Sequence, residues 1–196
     1  REGYLTYDFF LPGLILDAFE RADASTLERW AGEVVERGIR TVTMLGCHDG
    51  IPLLDLEGLV PTERIEALVG TVVERGGHVK NLHGQRETYY QVNATYHSAL
   101  GADDRSLLLA RAIHLFMPGR PQVWYLDLFA GTNDHEAVAR AGVGGHKEIN
   151  RTNLAAEEVG RRLAWPVVRD QLTLLRFRHA SPAFGFDARL EILPAP

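Results

Sequence analysis

The chain has 196 residues, 45% of them hydrophobic and 24% charged, and a net charge of -5. Those fractions are those of one ordinary soluble globular domain and not of a disordered chain. The acidic balance argues against a general nucleic-acid binder, and no apolar run is long enough to span a bilayer. A single cysteine, Cys47, excludes an internal disulfide framework and suits a reducing cytoplasm. The chain opens on Arg1-Glu2-Gly3, with neither an initiator Met nor a signal-like start, which leads us to expect a piece of something longer.

In chain order, Tyr4 to Phe10 reads as a strand stopped by Pro12, and Leu14 to Phe19 as a helical turn or two. Ser25-Thr26 caps a helix through Arg37, with Glu28 three residues after Ser25 as in a capping box. Trp30, Val34 and Val35 form its apolar stripe, and Gly38 ends it. Thr41 to Leu45 is a β-branched and apolar run, the pattern of a buried parallel strand. Pro61-Thr62-Glu63 opens a helix with Ile65, Leu68, Val69 and Val72 at helical spacing, stopped by Gly76-Gly77. Residues 78–90 show no periodicity and read as a long polar loop, a feature that is often functional in a compact domain. Asp103-Asp104 begins a strongly apolar core helix through Phe116. Pro118-Gly119-Arg120-Pro121 turns into a strand from Gln122 to Leu126. A Gly-rich polar stretch, 142–153, precedes a final helix from about Trp165 to Arg178. The order is that of an α/β fold with a parallel sheet. Three strands cannot close a barrel, and as an open sheet they would leave two apolar edges exposed.

The candidate site is His48-Asp49, placed where the strand at 41–45 runs out into a loop. Chemistry in parallel α/β folds sits at the carboxyl ends of strands. An imidazole beside a carboxylate there can position a polyhydroxylated substrate and stabilise positive charge; the plainer reading is that the pair caps the next segment. His135 and His146 are not at metal-ligand spacing with a Cys or a carboxylate pair, so no metal is expected. Gly142, Gly144 and Gly145 precede no lysine-serine pair and form no phosphate-binding loop of that type. No cofactor is expected.

The string Gly46-Cys47-His48-Asp49-Gly50-Ile51-Pro52, followed by Leu59-Val60-Pro61, resembles the seventh-strand region of sucrose phosphorylase and its relatives in the α-amylase superfamily. Tyr7-Asp8-Phe9 with Leu11-Pro12 resembles the sixth strand. Tyr90-Gln91-Val92-Asn93-Ala94-Thr95-Tyr96 with Ser98-Ala99-Leu100, then Phe116-Met117-Pro118-Gly119 and Pro121-Gln122-Val123 with Tyr125, follow in the family's order. Ala130-Gly131-Thr132-Asn133-Asp134 and Glu148-Ile149-Asn150-Arg151 complete the set, which covers nearly the whole chain. The resemblance implies the last three βα units of a (β/α)8 barrel over residues 1–185, with 186–196 beginning a C-terminal β-domain. It also implies that the family's nucleophilic Asp and acid/base Glu would lie before Arg1.

The family reaction is a retaining transfer: an α-glucoside and inorganic phosphate give α-glucose 1-phosphate and the released acceptor. Retention uses two carboxyl groups about 5 Å apart. The resemblance makes Asp49 the third family carboxylate, which accepts hydrogen bonds from glucose hydroxyls and stabilises the oxocarbenium-like transition state, with His48 on the same sugar. Arg151 matches an arginine that reaches the glucose site; the alternative is a surface arginine in a Gly-rich loop. Tyr90 and Gln91 would serve the phosphate and acceptor side. In the Glu87-Thr88-Tyr89-Tyr90-Gln91 string, Thr88 stands where sucrose phosphorylase has a fructose-binding Asp. His78, Lys80, His83 and Arg86 lie just upstream. A hydroxyl in place of an acid, beside added cations, favours an anionic acceptor. Glucosylglycerate leads among the substrates, sucrose 6'-phosphate is next, and sucrose itself stays open. Asp127, where sucrose phosphorylase has a small residue, is expected to brace the loop cations.

Two other readings stand beside this one. The parent protein could be a hydrolase or transglucosidase of the same superfamily. Alternatively, the 196-residue chain could be a catalytically incomplete half barrel. The expected partners are small molecules, with no nucleic acid and no membrane, and a homodimer is left open.

Overall fold

The computed structural model describes residues 4–81, 89–185, 188 and 190–193. Its strands are β1 (Thr6–Asp8), β2 (Thr41–Thr43), β3 (His78–Asn81), β4 (Tyr89–Asn93) and β5 (Arg120–Pro121). The helices are α1 (Leu11–Arg21), α2 (Ser25–Glu36), α3 (Thr62–Glu74), α4 (Tyr96–Ala99), α5 (Asp104–Phe116), α6 (Tyr125–Leu128), α7 (His135–Ala141), α8 (Ala156–Arg162) and α9 (Pro166–Ala180). Short 3-10 turns occupy Leu54–Leu56, Gly145–Asn150 and Pro182–Phe184.

β1, β2 and β5 form a parallel sheet in that order, as the α/β pattern predicts. Thr6 faces Thr41 and Asp8 faces Thr43, while Val42 and Thr43 face Arg120 and Pro121. The third strand is shorter and earlier than the expected 122–126. Gln122 donates its N–H to the Thr43 carbonyl at 2.8 Å, and that is where β2 ends. Beyond it the chain turns through Trp124 into α6.

Pro12 does not stop β1; it sits in the first turn of α1, where a missing N–H removes no helical hydrogen bond. The free amides of that turn find Asp8 instead: its carboxylate accepts the N–H groups of Phe10 and Leu11, each at 3.1 Å. Trp30 of α2 donates its indole N–H to the other oxygen at 3.0 Å, tying α2 to the end of β1. The expected capping box at Ser25 does not form. Asp23 accepts the Ser25 N–H at 3.0 Å, which pulls Ser25 into the helix and leaves Ala24 at the cap.

The stretch 78–90 is not wholly a loop: β3 and β4 pair antiparallel, with His78 opposite Asn93 and Val79 opposite Val92. The expected loop at 142–153 likewise holds the 3-10 turn, and α7 and α8 flank it. α7 is capped by Asp134, which accepts the Ala137 N–H at 2.8 Å. The core runs from Leu11, Leu14 and Ile15 through Leu27 and Val34 to Leu45, Ile51, Leu56, Leu68 and Val72. Each such fully buried side chain contributes about 1.5–3 kcal/mol. On the other side α5 packs on α9 around the buried Arg111, His114 and Gln171.

Candidate active site at the end of β2

The loop after β2 is anchored before it reaches the candidate residues. Met44 and Leu45 are buried, and the Gly46 N–H donates to Asp127 Oδ2 at 2.9 Å. A side chain at Gly46 would meet that carboxylate at 3.0 Å. The next residues fold back in a tight turn, with the Gly50 N–H on the Cys47 carbonyl at 3.2 Å and the Asp49 N–H on Cys47 Sγ at 3.4 Å. Gly50 has φ +105°, and a Cβ there would lie 2.4 Å from the Val92 carbonyl oxygen. That closeness lets Ile51 exchange both backbone hydrogen bonds with Val92 of β4, at 2.8 and 3.1 Å. Asn93 Nδ2 then donates to the Asp49 carbonyl at 2.7 Å. The antiparallel ribbon is thus the support of the loop, and Gln91 lies on the same strand face as Asn93.

The functional side chains converge on the Asp49 carboxylate. His48 Nε2 lies 3.3 Å from Oδ2. Arg151 donates from Nη2 to Oδ1 at 3.4 Å and from Nε to the His48 carbonyl at 2.9 Å. Lys147 Nζ donates to Oδ1 at 2.5 Å. Asn150 Nδ2 reaches the Cys47 carbonyl at 2.6 Å, and Glu148 lies 3.7 Å from Arg151. The Trp124 ring stands 6.1 Å from the His48 ring, centroid to centroid. The Lys147 hydrogen bond, ahead of the His48 and Arg151 charges, holds the Asp49 carboxyl below its ordinary value of 3.8. Burial pushes the neighbouring Cys47 thiol up, so it stays protonated and inert. The result is an ionised, partly exposed carboxylate ringed by donors, able to accept hydroxyls and to stabilise positive charge.

Of the residues singled out from sequence, His48, Asp49 and Arg151 meet directly, across about a hundred positions of chain. Gln91 and Tyr90 lie on β4, and Gln91 is half-buried. Thr88 and Arg86 lie outside the described residues. Lys147 was missed, although it stands four residues before Arg151, as Arg151 stands at the end of the same turn. His83 and Arg86, two of the cations that Asp127 was expected to brace, lie outside the described residues. Asp127 itself makes a different contact. It is fully buried beneath the loop, where it holds Gly46, and burial raises its carboxyl pKa against the opposing pull of Arg111. Among the described residues, no group of three or more His, Cys, Asp or Glu is placed to hold a metal ion.

A parallel α/β unit with a carboxylate site at a strand's carboxyl end is shared by barrels and open α/β sheets. No protein-family model matches the chain. A sucrose 6(F)-phosphate phosphorylase from Ilumatobacter coccineus is 58% identical over 97% of this chain and 38% of its own length. The crystal structure of sucrose 6F-phosphate phosphorylase from Thermoanaerobacter thermosaccharolyticum superposes with a TM-score of 0.86 at 40% identity, covering 93% of this chain and 36% of that one. A glucosylglycerate phosphorylase from Spirochaeta thermophila is 33% identical over the whole chain and 36% of its own length. The chain therefore matches the C-terminal half of phosphorylases of the sucrose phosphorylase type, and spans little more than a third of their length.

Proposed function

We propose that this chain supplies the transition-state-stabilising side of a retaining α-glucoside phosphorylase. The observation that carries the reading is the convergence of His48, Arg151 and the ionised Asp49 at the end of β2. Asp49 accepts glucosyl hydroxyls and opposes the positive charge that develops on the sugar. His48 and Arg151 donate to the same sugar. Gln91 and Tyr90 serve phosphate and acceptor, while Thr88 and Arg86 favour an anionic acceptor. Fructose 6-phosphate ranks first, because the relative at 58% identity is named for sucrose 6(F)-phosphate, whose phosphate sits on the fructosyl unit; glycerate follows. No described helix is long and apolar enough to cross a membrane. A cytoplasmic location is proposed on the single cysteine, Cys47, which suits a reducing compartment. Residues 186–196 would begin the following β-domain.

The nucleophile and the acid/base are not among these residues, so the chain alone should transfer no glucosyl group. The test is phosphate release from glucose 1-phosphate with a panel of acceptors, run on the chain and on the intact protein. Release by the intact protein with fructose 6-phosphate or glycerate supports the reading. Turnover without phosphate dependence would favour a hydrolase or transglucosidase, and silence with every acceptor would sink the assignment.

A further inference from the structure

The 3-10 turn Gly145–Asn150 repeats every three residues, which sets Lys147 and Asn150 on one face. Both meet the loop after β2: Asn150 holds the Cys47 carbonyl and Lys147 holds Asp49 Oδ1. The turn is seated by the fully buried Ile149, whose carbonyl accepts the Asp134 N–H at 2.9 Å. A firm backbone therefore delivers the Lys147 ammonium on a flexible stem. Arg151 is held differently, since its Nε also grips the His48 carbonyl. Among the described residues the Lys147 ammonium has one partner, Asp49.

That partnership conflicts with the chemistry of a glucosyl site. Oδ1 already accepts from both Lys147 and Arg151, while Oδ2 has only His48 beside it, so a sugar hydroxyl that binds Oδ1 has to displace a cation. An ammonium on the carboxylate also cancels part of the negative field that a developing positive charge needs. Lysine is suited to letting go: it is a point charge on a rotatable stem, and both partners are 32% exposed.

We propose that Lys147 is a positioning residue that holds the Asp49 carboxylate until a glucosyl group arrives and then yields Oδ1 to one of its hydroxyls. The inference rests on the phosphorylase reading above. Ion pairs of this exposure correspond to roughly 1.5- to 5-fold in a binding constant, small enough for a substrate to exchange.

The test is steady-state kinetics of the intact protein, with glucose 1-phosphate varied at saturating fructose 6-phosphate. Lys147→Met keeps the stem and removes the charge. Its KM for glucose 1-phosphate should fall about 1.5- to 5-fold, raising kcat/KM, because no ammonium has to be displaced. Lys147→Arg keeps the charge on a fork that grips a carboxylate more firmly, so its KM should not fall below the wild-type value, and Lys147→Gln gives an independent reading if the Met variant fails to fold. A KM that stays put or rises in the neutral variants, or a kcat/KM that falls, overturns the proposal. Wild-type protein silent with every acceptor brings down the phosphorylase reading and this inference with it; active wild type with an unmoved KM brings down the Lys147 role alone.

Discussion

His114 should make the fold sensitive to mild acid. It is fully buried on α5, with Arg111 Nη1 3.0 Å from its Nδ1. A guanidinium can only donate, so Nδ1 accepts and the ring is neutral. Burial first, and the Arg111 charge second, pull the His114 pKa from 6.5 to about 3. A folded value below the unfolded one means that the unfolded chain takes the proton first. The stability is therefore full above about pH 6.5 and is lost as pH falls toward 3. With those two values, the step from pH 7 to pH 5 costs about 2 kcal/mol. Asp8 and Asp127, whose carboxyl values burial raises, act in the opposite sense and gain stability as pH falls. The decisive comparison is therefore between wild type and His114→Asn, which keeps an acceptor toward Arg111 but cannot titrate. Urea unfolding followed by tryptophan fluorescence at both pH values should show wild type losing about 2 kcal/mol more than the variant over the interval. Parallel pH slopes in the two proteins would refute a neutral, buried His114.

Asp49→Asn in the intact protein should lower turnover roughly 10²- to 10³-fold, the typical cost of one transition-state electrostatic group, with the melting temperature nearly unchanged. Because Lys147 and its neighbours hold Asp49 below its ordinary value, its ion pairs persist until pH falls through that depressed value, and the rate should show no acid limb from Asp49 above about pH 4; a limb near pH 6 that vanishes in the variant would contradict this. Gly50→Ala forces a left-handed backbone on alanine and sets its Cβ 2.4 Å from the Val92 oxygen, so it should cost upward of about 2 kcal/mol, read as a lowered urea midpoint together with lost activity. Exchanging Thr88→Asp with Arg86→Ala should move acceptor preference from phosphorylated sugars toward neutral fructose, scored by competing the two acceptors; an unchanged ratio would show that these positions do not read the acceptor.

What could be read from sequence followed the physics of each segment. α3 and α5 were legible because Ile65, Leu68, Val69 and Val72 repeat at helical spacing and Asp103 caps α5 through the Ser106 N–H at 2.8 Å. β3 and β4 were not, because the pairing buries mainly Val79 and Val92 and draws its order from backbone bonds that leave no hydrophobic pattern. α1 was shortened by treating Pro12 as a stop when the first helical turn tolerates it. At the site, His48 and Asp49 were found because they end a strand, and Arg151 through a family string. Lys147 carried no such mark: a lysine in a Gly-rich stretch looks like any solvated cation until the 3-10 turn places it on Asp49. Asp127 carried no mark of burial in the sequence either, and its described neighbours are Gly46 and, through space, Arg111. Arg111 in turn reaches Gln171 on α9 and His114 on α5, and Gln171 donates to the Asp127 and Leu128 carbonyls. The loop that carries Asp49 is thus held by a buried polar network behind the sheet. Such a network tolerates loss of a member poorly, because each remaining group is left unpaired in a low dielectric. Substitutions at Arg111, Asp127 or Gln171 should therefore reach the carboxylate site without touching it.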